Sequence, residues 1–303
     1  MAHEGIRIGV VAQTLSEDPR QAVRSSRGLG FEGLQFDSTA ASLDLTTLSG
    51  SGRREFRHVL ASQDQQLVGL RGEVGTRGFG PGADVDQAIS RIEKLMEAAA
   101  GMGSPLICID LGPLPAAPVV KPVKPKVDPA MAGLILLPDP AEAKKGPTIE
   151  EPAPVVDAAF VSQLNAAMDE VGRYADRYSC VVAFRSELAS LASLKQAVIG
   201  VRCPWYGVDL DPVAVARDRW DLDEVFSELG QLVRHVRGRD AIIGAERRTK
   251  PSRIGEGSVE WVDLLANLDA SGYRGWLTID PGDLMDRPAG AEAGAKYLNG
   301  LKA

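Results

Sequence analysis

The segment Leu232–Asp280 limits the fold more than any other part of the chain. Two short apolar runs, Leu232–Val236 and Trp276–Ile279, flank one amphipathic helix. The helix is expected to open at Ser258 with Glu260 behind it, and Val262, Leu264, Leu265 and Leu268 follow helical spacing. Gly272 ends the helix and Gly275 marks the turn into the second run. Strand, helix and strand with short connections make a βαβ unit, which requires a parallel sheet. Arg237 and Asp240 follow the first run and Asp280 follows the second, and the ends of parallel strands are where such folds keep their chemistry.

The same alternation runs along the rest of the chain. Strands are expected at Ile6–Ala12, Phe31–Phe36, Leu67–Leu70, Pro105–Ile109, Cys180–Phe184 and Tyr206–Leu210. Helical spacing falls between them, most clearly over Val85–Met102 and Ala158–Tyr178, and a last helix over Ala291–Leu301. Eight alternations fit a closed (β/α)8 barrel better than an open sheet, and 303 residues suit one such domain, 1–303, with an insertion. Hydrophobic residues make up 44% of the chain but aromatics only 5%, so the core must be mostly Leu, Val, Ile and Ala. Neither GxGxxG after the first strand nor GxxxxGK[ST] occurs, which weighs against nucleotide-binding open sheets.

The pattern breaks after the fourth strand. Pro113–Pro154 holds 11 of the 19 prolines, interleaved with lysines and acids, and favours an extended course. The insertion, 113–157, reads either as a disordered linker or as a lid or plug whose patch Leu134–Leu137 docks on the barrel or on a partner. A net charge of -7 argues against general nucleic-acid binding. Cys108, Cys180 and Cys203 lack zinc-knuckle spacing and read as free thiols. With no signal-peptide pattern and no apolar run of membrane-spanning length, a cytoplasmic location is expected.

GLGFEGLQFD (Gly28–Asp37), HVRGRDA (His235–Ala241), RIGEGSVEW (Arg253–Trp261) and GYRGWLTID (Gly272–Asp280) resemble the xylose isomerase-like TIM barrels, which include sugar-phosphate isomerases and epimerases. The resemblance covers essentially the whole chain apart from Pro113–Pro154. It implies one divalent ion at the strand ends, held by Glu, Asp, His and Glu from strands five to eight, with glutamates shuttling a proton. Carried across, those positions fall on Arg185, Asp211, Arg237 and Asp280. A guanidinium neither ligates a metal nor acts as a base at neutral pH, so the metal site reads as degenerate.

Three readings of the strand ends stay open. A shifted site could use Glu187, Asp211, His235 and Asp280, with Asp211 and Asp280 as metal ligands and Asp211, Asp280 and Glu187 as the catalytic acid and base. Arg185 and Arg237 could instead pair with Asp211 and Asp280, leaving a metal-free network. Or Arg71, Arg185, Arg237 and Arg239 could bind a carboxylate or phosphate. Arg71, Glu73, Asp110, Arg185, Arg237 and His235 are the expected ligand-binding residues.

The expected cofactor is none, or a weakly bound Mn, Mg or Zn. The expected partner is a small ligand, a sugar or sugar-acid derivative, with no nucleic acid and no membrane; homo-oligomers are common among such barrels. The function then reads as an isomerase or epimerase of a polyhydroxylated or anionic small molecule, or as a metal-free binding barrel descended from one. A phosphodiester-cleaving barrel is set aside, because that chemistry uses several metal-binding histidines and this chain has three histidines in all.

Overall fold

The computed structural model describes residues 5–40, 43–117 and 157–302. Eight parallel strands form a closed barrel in chain order. They are β1 (Arg7–Val11), β2 (Gly33–Asp37), β3 (Gln66–Glu73), β4 (Leu106–Asp110), β5 (Val181–Arg185), β6 (Tyr206–Leu210), β7 (Val233–Gly238) and β8 (Trp276–Ile279). The seam between β8 and β1 sets Arg7 opposite Trp276 and Val10 opposite Ile279. The helices are α1 (Pro19–Gly28), α2 (Gly50–Ala61), α3 (Val85–Gly101), α4 (Ala158–Tyr178), α5 (Leu191–Gly200), α6 (Pro212–Asp218), α7 (Leu222–Leu229), α8 (Trp261–Ala270) and α9 (Arg287–Lys302). This is the expected (β/α)8 barrel. Among the described residues no helix is long and apolar enough to cross a membrane. Most of the proline-rich segment, including Leu134–Leu137, lies outside the described residues.

Every residue of β6 and of β8 is buried, because helices cover one face of each strand and the barrel interior covers the other. Toward the N-terminal ends of the strands the interior is closed by close packing around Trp276. A Cβ on Gly33 would sit 2.8 Å from the Trp276 indole and 2.9 Å from the Gln66 carbonyl, so β2 reaches its place only with glycine there. On the outer side the Arg7 guanidinium stacks over the same indole at 4.1 Å.

The elements depart from the sequence expectation where polar groups decide their ends. β3 and β7 run on past Leu70 and Val236, so Arg71 and Arg237 lie inside strands. Both side chains are satisfied by ion pairs, so neither has to leave the sheet for water. The short α6 was not expected. Asp211 caps it by accepting the Val213 N–H at 3.0 Å, and Pro212 occupies its first turn. α8 begins at Trp261 rather than Ser258, because the Ser258 hydroxyl is engaged by the Ile243 N–H at 3.0 Å. Trp261 therefore joins Leu264, Leu265 and Leu268 on the buried face, while Val262 faces solvent.

An antiparallel hairpin, Asp240–Ile243 with Thr249–Ser252, follows β7. The buried Asp240 organises it. Its carboxylate accepts from the backbone N–H groups of Ala241, Gly255, Gly257 and Val259 and from the Trp261 indole, at 2.8 to 3.3 Å. A Cβ on Gly257 would fall 2.1 Å from an Asp240 oxygen, so the Gly-Glu-Gly turn is what lets the backbone wrap the carboxylate.

Candidate ligand site at the barrel mouth

Successive side chains on a strand alternate between faces, so residues two apart share the barrel interior. The even strands each place a small or polar residue inward and an aspartate two positions later. The pairs are Gln35 and Asp37, Cys108 and Asp110, Asp209 and Asp211, Thr278 and Asp280. The odd strands β3, β5 and β7 place Arg71, Arg185 and Arg237 between these aspartates. Around seven of the eight strands the mouth therefore alternates acid and base, with Asp37 in register with Arg71 and Asp110 in register with Arg185.

The lower layer is buried and hydrogen-bonded throughout. His235 Nδ1 lies 2.6 Å from Asp209 Oδ1, and its Nε2 lies 2.7 Å from the Thr278 hydroxyl. A carboxylate only accepts, so in the neutral ring Nδ1–H donates to Asp209 and Nε2 accepts from Thr278. The Gln35 amide donates to Cys108 Sγ at 3.2 Å and lies 3.5 Å from His235 Nε2. Burial, then Asp209, push the Cys108 thiol well above its ordinary value. Burial alone would raise Asp209, but His235 and then Arg185 and Arg237 hold it down.

The upper layer is an ion-pair network. Asp280, with 4% of its side chain exposed, accepts from Arg71 Nη1 at 2.6 Å and from Arg237 Nη2 at 2.6 Å. Arg71 also reaches Asp37 at 2.7 Å. Arg185 contacts Asp110 at 3.1 Å and Asp209 at 3.7 Å. Arg239 clasps Asp211 and reaches Asp283 at 3.4 Å. Glu187, on the loop after β5, offers one oxygen, Oε1, to Arg185, Arg237 and Arg239 at 2.6, 2.8 and 3.3 Å.

At Asp280, Glu187, Arg237 and Arg71 burial disfavours the charge, and the partners outweigh it. For Asp280 the guanidiniums of Arg237 and Arg71 override burial and hold the carboxyl far below the carboxylate range. For Glu187 burial would raise the carboxyl, yet Arg185, Arg239 and Arg237 bring it down to about 2. Burial would lower Arg237 and Arg71, and Asp280 raises both.

Of the expected residues, Arg71, Asp110, Arg185, Glu187, Asp211, Arg237 and Asp280 all stand at the mouth. His235 lies one layer below, on Asp209 rather than beside Asp211. Glu73 is exposed at the end of β3 and takes no part in these pairs. The expected pairing of Arg237 with Asp280 is present, but Arg185 pairs with Asp110 and Glu187, and Asp211 pairs with Arg239. Asp37 and the layer of Gln35, Cys108 and Thr278 were missed. Their signal was the polar residue, one residue, aspartate step repeated on every even strand.

At the mouth Asp211 and Asp280 are engaged by arginines, and Arg185 and Arg237 stand at two of the four positions that the sequence resemblance assigns to ligands of a hard divalent ion. Below it, Cys108, Asp209 and His235 each bring one potential ligand atom within 4.8 Å of the others. That group is already satisfied by the hydrogen bonds to Gln35 and Thr278 and by the bond between His235 and Asp209. A cavity of about 240 Å³ opens beside Glu187 and Arg239, walled by Val213, Ala214, Thr249 and Pro251.

Residues 23–301 match the sequence model of a family described as xylose isomerase-like TIM barrel. No curated protein matches the chain. Among solved structures, 3-keto-D-glucoside 4-epimerase from E. coli is similar at 16% identity with a TM-score of 0.66, over 97% of this chain and 99% of that one. A probable 3-DHS dehydratase from Bacillus anthracis is similar at 12% identity with a TM-score of 0.68, over 97% and 99%. A xylose isomerase-like TIM barrel protein from Mycobacterium smegmatis, solved in complex with magnesium, is similar at 14% identity with a TM-score of 0.66, over 100% and 98%. At these identities the likeness concerns the fold.

Proposed function

The chain belongs to the xylose isomerase-like TIM barrel family, and from that premise we propose that its barrel mouth binds a small polyhydroxylated ligand without a divalent metal. The alternating ring of aspartates and arginines carries this reading. Guanidiniums at the ends of β5 and β7 supply fixed positive charge where the family resemblance leads one to expect metal ligands. A polyol suits such a ring, because its hydroxyls donate to carboxylates and accept from guanidiniums.

The ring favours binding over proton transfer. A general base works best with a pKa near the operating pH, and the Asp280 carboxyl is held far below it. Asp211 is clasped by Arg239, so neither Asp211 nor Asp280 is free to pass a proton between neighbouring carbons.

Manganese titration of the purified protein by calorimetry, with metal analysis, tests the metal-free half. No stoichiometric ion is expected, and weak binding of neutral hexoses is expected to be unchanged by a chelator. A tightly held stoichiometric ion lost in Asp211→Asn or Asp280→Asn overturns the reading. In the converse direction, Arg185→Glu combined with Arg237→His is expected to introduce manganese binding.

A further inference from the structure

We infer that Glu187 is an internal stand-in for a ligand carboxylate, and that the mouth takes a sugar acid in preference to a neutral sugar or a sugar phosphate. The inference rests on the reading of the mouth as a small-ligand site and adds the chemical class of the ligand.

Glu187 differs from the rest of the network. Its side chain is 43% exposed, against 4% for Asp280 and 6% for Asp211. A single oxygen accepts hydrogen bonds from Arg185 and Arg237 and forms an ion pair with Arg239, so guanidiniums from β5 and from the end of β7 converge on it. A carboxylate oxygen at that point is what guanidinium groups recognise best. None of the three arginines depends on it. Arg185 keeps Asp110 and Asp209, Arg237 keeps Asp280, and Arg239 keeps Asp211.

The backbone of the loop is fastened independently of the Glu187 side chain. Arg217 donates to the Glu187 carbonyl at 2.9 Å and to the Ala189 carbonyl at 3.2 Å. Displacement therefore needs only rotation of the Glu187 side chain. The 240 Å³ cavity lined by Glu187 and Arg239 takes the hydroxylated remainder of the ligand. It is smaller than the roughly 300–1,000 Å³ pockets that hold drug-sized molecules.

Charge selects carboxylate over phosphate. With Glu187 withdrawn, Asp37, Asp110, Asp209, Asp211, Asp280 and Asp283 still face four guanidiniums, those of Arg71, Arg185, Arg237 and Arg239. A monoanion restores the charge that Glu187 carried. A phosphate monoester, with a charge of about −1.5 to −2 near neutral pH, adds negative charge to a site already in acidic excess.

The test is calorimetric titration of the whole protein and its E187Q variant with D-gluconate, D-glucose and D-glucose 6-phosphate. Gluconate is expected to bind more tightly than the other two, and E187Q to tighten gluconate by about tenfold, or ~1.4 kcal/mol, relative to its effect on glucose. Thermal unfolding of E187Q is expected to remain cooperative, because each arginine keeps another partner. Equal or weaker gluconate binding in E187Q, or preference for D-glucose 6-phosphate, overturns the inference. If glucose binds and gluconate gains nothing, the inference falls and the metal-free polyol site stands; if none of the three binds either protein, both fall.

Discussion

The Asp240 carboxylate gathers five N–H donors from a turn, a loop and the first residue of α8, so one side chain decides the course of residues 253–261. Removing it leaves buried donors without acceptors, and each such group costs about 1–3 kcal/mol. Asp240→Ala is therefore expected to lower stability by at least about 3 kcal/mol, read as a fall in the urea midpoint. Asp240→Asn keeps one accepting oxygen and should lose less. The turn glycines and Trp261 were legible in the sequence, but Asp240 read only as a polar strand end. Nothing in residue spacing tells that a carboxylate will be wrapped by backbone from 15 to 19 positions downstream.

For the elements, legibility followed the burial pattern. β6, β8 and the long helices α3 and α4 stand where apolar runs and helical spacing put them, since both signals come from burial. The hairpin after β7 and α6 were missed because polar groups, Asp240 and Asp211, fix them. At the mouth, the aspartates and arginines closing the strands were readable, but their pairing was not. Arg185 meets Asp110 because β4 and β5 align those residues, a property of register that composition does not carry. Register also explains Gly33, which had no place in the sequence reading. Gly33→Val forces β2 away from Gln66 and Trp276, and a loss of about 1–3 kcal/mol is expected from overpacking, measured as a lowered melting temperature with the near-ultraviolet tryptophan signal altered.

Over the whole molecule the mouth couples stability to acid. The Asp280, Asp209 and Glu187 carboxyls lie below their ordinary values in the folded protein, so the unfolded chain binds more protons as pH falls. Their contribution is complete above the ordinary carboxylate range and is lost on acidification. For Glu187 the loss runs from pH 4.5 to about 2. The urea midpoint is expected to fall steadily across that range, and Glu187→Gln to flatten its upper part. An unchanged acid limb in that variant would show that its carboxylate does not support the fold. The net charge of -7 gave no hint of this, because the effect comes from where charges meet and not from their sum.

The longest of these pairs reaches furthest in consequence. Arg71 and Asp280 lie 209 positions apart in the chain, and Asp280 is carried by the strand that seals the barrel against β1. The entropy of joining such distant segments must be met before the pair can form. The contact therefore belongs to the native side of the folding barrier, where interactions slow unfolding and leave the folding rate almost untouched. A ring of charges at the mouth acts in this way as a latch on the finished barrel, and it extends the lifetime of the native state more than it hastens its formation.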